Sequence, residues 1–129
     1  MATPRLQHVL VLTDHLDATK AFYCDVLGLE VGERPQLPFP GYWLYADGVA
    51  CVHVAERASY EAQCARLGLS AKPSPVDHVA FDAVGYEQLL ERLEAAGVEV
   101  TTNAVPSSDL RQLFFDDPNG ARIELVVSD

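Results

Sequence analysis

Three of the four histidines in this 129-residue chain, together with one glutamate, recur at nearly one interval. His8 stands near the start of the apolar run LQHVLVL (6–12), and His78 near the start of VDHVAFD (76–82), 70 residues on. His53 in CVHVAE aligns with Glu124 in RIELVV, 71 residues on. Imidazole binds Zn, Ni, Co, Fe(II) and Mn, and a carboxylate hardens such a set and adds negative charge. Strands hold side chains rigidly, so ligands placed on them can be set before an ion arrives. Three or four protein ligands leave positions open on an ion that accepts five or six, where water or a substrate oxygen can bind. A lone His or Glu near a strand end is usually structural, but four at matched positions are not independent. Glu124 adds an argument of its own. A carboxylate flanked by Ile123, Leu125, Val126 and Val127 is costly to bury without a cation or hydrogen bonds. The set His8, His53, His78 and Glu124 therefore predicts a site for one divalent metal ion (Zn, Ni, Co, Mn or Fe(II)). His15 falls in the polar stretch before a helix, where a solvated or capping role is expected.

The elements that must position these residues read as a doubled unit. In each half a strand headed by His8 or His78 leads through a polar turn to an amphipathic helix. The first helix, in KAFYCDVLGLEV, carries Ala21, Phe22, Val26 and Leu27 at helical spacing; the second, in QLLERLEAAGVEV, carries Leu89, Leu90 and Leu93. Both break at a glycine suited to a left-handed cap, Gly28 and Gly97, within the matching pairs GLEV and GVEV. The Asp14 and Asp17 region supplies an N-cap signal for the first helix. A short strand is expected around LEVGER and around VEVTTN. Two further strands follow in each half: YWLYA and ACVHVAE joined by a DG hairpin, then RQLFFDD and ARIELVV joined by the tight turn DPNG. The expected layout is one domain over 4–127, with a module at about 4–56, a linker at about 57–75 that can hold a short helix, and a module at about 76–127.

Alternation along the strands sorts the neighbours of the ligands. Cys51 should face with His53, and Arg122 with Glu124. Gln112 and Phe114 share one face of their strand, and Trp43 is the matching large residue of the first half. Trp43, Gln112, Phe114 and Arg122 are thus the expected substrate-binding residues of an aromatic, weakly polar pocket. Gln112 in particular needs a partner, being polar between Arg111 and Leu113. The net charge of −10 repels phosphate backbones and anionic lipid, which argues against nucleic acid and membrane surfaces as partners. No apolar run reaches the length of a membrane helix, and the start MATPRLQHVLV lacks a signal-peptide pattern, so a cytoplasmic location is expected. The three cysteines show no paired spacing and read as reduced thiols.

The segments HVLVLTDHLDATKAFYCDVLGLEV, HVAFDAVGYEQLLERLEAAGVEV and QLFFDDPNGARIELV resemble the vicinal oxygen chelate superfamily, over about residues 4–127. That superfamily groups glyoxalase I, methylmalonyl-CoA epimerase, extradiol dioxygenases, fosfomycin-modifying thiol transferases and bleomycin-binding proteins. The resemblance implies an α+β fold of two tandem βαβββ modules. They form a U-shaped, open barrel-like mixed sheet, with helices outside and a metal within. It places the family's ligands at His8, His53, His78 and Glu124, and it implies a homodimer. Glyoxalase I usually has glutamate at the position of His53 and wants basic residues near its mouth, for which Arg34, Arg111 and Arg122 are available. Phe114 stands where a fosfomycin-modifying enzyme would have tyrosine, which argues against that branch. Bleomycin-binding proteins lack the ligand set. Extradiol dioxygenases use two histidines and a glutamate on Fe(II), which His8, His78 and Glu124 match. The resemblance thus implies a metal-dependent glyoxalase-like isomerase or lyase that chelates a small oxygenated substrate and stabilises an enediolate. Glu124 or His53 would move the proton. The alternatives are an Fe(II)-dependent extradiol-type dioxygenase and a non-catalytic small-molecule binding protein.

Overall fold

The computed structural model describes residues 2–116 and 121–129; the expected DPNG turn, at 117–120, lies outside the described residues. The chain is α+β, with eight strands in mixed pairing and three α-helices among the described residues. It divides into two compact units, residues 7–77, and residues 1–6 with 78–129.

In the unit of residues 7–77, β1 (Arg5–Thr13) pairs in parallel with β4 (Val49–Glu56). β3 (Gly41–Ala46) pairs antiparallel with β4, and β2 (Glu30–Gly32) antiparallel with β3. Burial in β1 alternates, with His8, Leu10 and Leu12 buried on one face. β3 and β4 meet in a hairpin whose two turn residues, Asp47 and Gly48, both have positive φ (52° and 78°), as a type I′ turn requires. The segment after β4 is more than a spacer. Its helix α2 (Arg57–Arg66) buries Tyr60 and Cys64 against Leu10, Leu12 and Ala55. Buried Asp77 ties the end of the segment down, accepting hydrogen bonds from the Tyr60 hydroxyl (3.2 Å) and the Lys72 amide (2.7 Å).

The first helix departs from its expected form. α1 (Leu16–Ala21) starts at an N-cap formed by His15, without a side-chain cap bond. Thr19 Oγ1 donates to the His15 carbonyl and Thr13 Oγ1 accepts from the His15 amide, which fixes the entry to the helix, while the side-chain cap expected from Asp14 or Asp17 is not formed. From Phe22 to Val26 the helix widens into a π-helical turn. The wider turn breaks the 3.6-residue period, and Phe22, Val26 and Leu27 are exposed at 53%, 66% and 59%. Gly28, with φ of 80°, ends the helix as expected, its amide donating to the Cys24 carbonyl.

In the other unit, β5 (Val76–Ala83, from His78 on) pairs in parallel with β8 (Arg122–Val127). β7 (Arg111–Asp116) pairs antiparallel with β8, and β6 (Thr101–Ala104) antiparallel with β7. α3 (Tyr86–Ala95) has the expected apolar stripe: Leu89 is buried, and Leu90 and Leu93 pack beside it on Ala83, Leu113, Leu125 and Val127. These strand residues are odd-numbered. The even-numbered set of the same strands, His78, Gln112, Phe114, Arg122 and Glu124, projects from the other face. The helix thus occupies one side of this sheet and leaves the chemistry-bearing residues together on the other.

The register repeats between the units. Leu10 is opposite His53 as Ala80 is opposite Glu124, and Trp43 is opposite His53 as Phe114 is opposite Glu124. The duplication read from spacing alone is therefore a duplication of strand pairing.

Candidate metal centre

Each unit holds half of the expected ligand set. In residues 7–77, the buried His8 and His53 rings stack with centroids 3.6 Å apart and planes at 15°. Trp43 stacks on the other side of His53, at 4.1 Å and 11°. This sandwich follows from register: His53 lies between β1 and β3, with Trp43 directly opposite. His8 Nδ1 lies 2.6 Å from Gln7 Oε1. An amide oxygen only accepts, so Nδ1 carries the proton and Nε2 presents the lone pair a metal needs. His53 Nε2 lies 3.1 Å from the Ala50 carbonyl, so in neutral His53 the lone pair falls on Nδ1.

In the other unit, His78 Nε2 lies 2.9 Å from Glu124 Oε1, with both side chains buried. Gln112 Nε2 donates to Glu124 Oε2 at 2.9 Å, which is the partner its sequence position demanded. The ring of buried Phe114 stands edge-on to His78, with centroids 6.2 Å apart. Glu124 is only 3% exposed, so its charge is removed from water and must be met by these donors or by a cation. The pair passes a test of fit to an ion. Two ligands at about 2.1 Å from one metal and at right angles stand about 3 Å apart. The spacing of His78 and Glu124 suits a shared ion as well as a shared proton. Arg122 is also buried; it lies opposite His78 on one side and opposite Asp116, a carboxylate, on the other.

Within the first unit Trp43, His53 and His8 are brought together, and within the second His78, Glu124, Gln112 and Phe114. Two supporting residues escaped sequence reading. Gln7 precedes its partner in a strand, where alternation predicts that neighbours point apart. Asn103 donates from Nδ2 to Gln112 Oε1 at 2.6 Å, and only the β6–β7 register, which sets Asn103 opposite Gln112, reveals it.

Paired strand registers with a histidine on each leading strand, and a carboxylate on one closing strand, define a duplicated class of α+β fold. A model of the Glyoxalase/Bleomycin resistance protein/Dioxygenase superfamily matches residues 5–125, and the chain belongs to that superfamily. It is similar to Glyoxylase I 4 of Arabidopsis thaliana, 30% identical over 127 residues that cover 96% of this chain and 71% of that protein. Among solved structures it is similar to methylmalonyl-CoA epimerase from Mycobacterium tuberculosis, with a TM-score of 0.74 at 22% identity, covering 100% of this chain and 93% of that one. A variant of the Streptomyces coelicolor methylmalonyl-CoA epimerase, in complex with 2-nitronate-propionyl-CoA, has a TM-score of 0.68 at 24% identity, covering 98% of this chain and 99% of that one. At these identities the two epimerases speak to the fold.

Proposed function

We propose that this chain is a metal-dependent, glyoxalase-like isomerase or lyase. It binds a small substrate through two neighbouring oxygens and shifts a proton between adjacent atoms. In this reading His8, His78 and Glu124, all buried, hold one divalent ion, and His53 is the fourth ligand position. The observation that carries it is the buried His78–Glu124 pair, whose 2.9 Å spacing suits two ligands of one ion. The relative named Glyoxylase I 4 favours the isomerase or lyase branch.

A bound ion would supply Lewis-acid polarisation of the substrate's oxygens. The side chains do the rest. Gln112 holds Glu124 Oε2, and Oε1, which faces His78 Nε2, is the oxygen assigned to proton exchange with the substrate. His53, fixed by the Ala50 carbonyl, is a second proton carrier through Nδ1. Trp43 and Phe114 offer apolar walls that exclude water, and Arg122 offers a cation for an anionic substrate group. A two-histidine, one-carboxylate set is also that of Fe(II) oxygenases, which favours an extradiol-type dioxygenase as the second reading.

The test is the metal content of untagged protein beside a Glu124→Ala variant. Stoichiometric zinc, nickel, cobalt or manganese that the variant loses supports the isomerase or lyase. Iron lost in the variant, with oxygen consumed on a catechol, supports the dioxygenase. No uptake of any of these ions, even after reconstitution, overturns both and leaves a small-molecule binding protein.

A further inference from the structure

The geometry points to a directional amide relay, Asn103 to Gln112 to Glu124, that fixes which oxygen of Glu124 meets Gln112 and which meets His78. Gln112 and Asn103 are positioning residues in this scheme.

The chain of contacts runs across three adjacent strands of one unit. Asn103 on β6 donates from Nδ2 to Gln112 Oε1 (2.6 Å), and Gln112 on β7 donates from Nε2 to Glu124 Oε2 (2.9 Å) on β8. The order matters because a side-chain amide has two unlike ends. One is an acceptor, the other a donor, and the two can exchange places by rotation. If Gln112 turned over, its carbonyl would face the Glu124 carboxylate, acceptor against acceptor. Asn103, directly opposite Gln112 in the ladder, prevents that by occupying the carbonyl end. Gln112 is then held with its N–H toward Glu124. With Oε2 occupied and Oε1 facing His78 Nε2, the carboxylate has one defined orientation. Groups that orient a ligand in this way typically change metal affinity 10- to 100-fold when removed.

The other half of the duplication shows that the relay is specific to the carboxylate. The repeat-equivalent of Gln112 is Gly41, opposite Ala55 as Gln112 is opposite Val126. A Cβ at Gly41 would overlap the Val54 carbonyl, so a side chain there would have to push the strands apart. His53, the equivalent of Glu124, donates from Nε2 to the Ala50 carbonyl and packs on Trp43 instead. The position that carries Gln112 in the module with a glutamate is thus a glycine in the module with a histidine.

The relay rests on the metal reading for its consequence, but its test has an arm that needs no metal. In metal-free protein, the Gln112 side-chain N–H that meets Glu124 is expected to be shifted downfield in proton–nitrogen NMR spectra and slow to exchange. Asn103→Ala should abolish both properties without unfolding the chain, because Asn103 is only half-buried. The second arm is Zn(II) affinity by competition with a chelator. Gln112→Met, close in length and without polar atoms, should weaken it by about 10- to 100-fold. Asn103→Ala should weaken it by about 10-fold, and the double variant should match Gln112→Met alone, since Asn103 acts only through Gln112. An ordinary Gln112 amide, an amide indifferent to Asn103→Ala, or additive losses in the double variant would overturn the relay. Failure of the wild type to take up Zn(II) would overturn the metal reading, and the amide spectrum would still decide the relay.

Discussion

Gln7 makes the most economical prediction at the scale of single residues. Its Oε1 fixes the tautomer of His8, so Gln7→Leu should weaken Zn(II) binding by about 10-fold while the melting temperature of metal-free protein barely moves. Isothermal titration beside a thermal melt separates the two effects. A second residue-level prediction concerns the surface. The Tyr42 hydroxyl donates to Asp17 at 2.9 Å, and that hydrogen bond, with some desolvation and the aspartate's charge, raises the phenol above its usual value of 10.0. A raised pKa favours the protonated form in the folded state, so the contribution is complete below pH 10 and disappears as pH rises through Tyr42's own pKa. Asp17→Asn should return the ultraviolet titration of Tyr42 toward that of an ordinary tyrosine. Much of the candidate site was legible at this scale. Types and spacing alone singled out His8, His53, His78 and Glu124, because ligand chemistry restricts the residues that can serve. Gln7 and Asn103 were not legible, because what they do depends on a rotamer and on a register.

Glycines separate two causes of sequence constraint among the elements. At Gly97, φ is 73° and nothing lies within 4 Å of an added Cβ, so Gly97→Ala should cost about 1–2 kcal/mol through backbone conformation alone. At Gly41 the obstacle is the Val54 carbonyl, and Gly41→Ala should cost about 1–3 kcal/mol by forcing β3 and β4 apart. Urea unfolding of the two variants, with NMR shifts confined to the helix end for the first and spread over β3 and β4 for the second, checks the distinction. The strands were legible because alternation survives in β1, and because turn residues bound the short apolar runs of the others. α3 was legible because its apolar stripe keeps the helical period. The first helix misled, since a π-helical turn changes the period partway and carries Phe22, Val26 and Leu27 outward. α2 was only a suggestion in the sequence. It is mostly polar, and it buries just Tyr60 and Cys64, too few to make a periodic signal.

For the molecule as a whole, an ion bound only by the folded state should stabilise it by mass action. Free Zn(II) at 100 times its Kd should add about 2.7 kcal/mol, a rise of several degrees in melting temperature for a chain of this length. Glu124→Ala should melt at the same temperature with and without the ion. Denaturation curves at matched ion concentrations check both statements. The charge of −10 adds a separate dependence on ionic strength: salt should raise the melting temperature of metal-free protein by screening self-repulsion, in the wild type and in Glu124→Ala alike. Finally, the chain has a single tryptophan, and that tryptophan is Trp43, stacked 4.1 Å from His53. All indole fluorescence of the protein therefore originates against one imidazole. Any event that turns that ring or moves the indole must show in the emission, so the molecule carries its own optical probe of the His8–His53 pair, with no label attached.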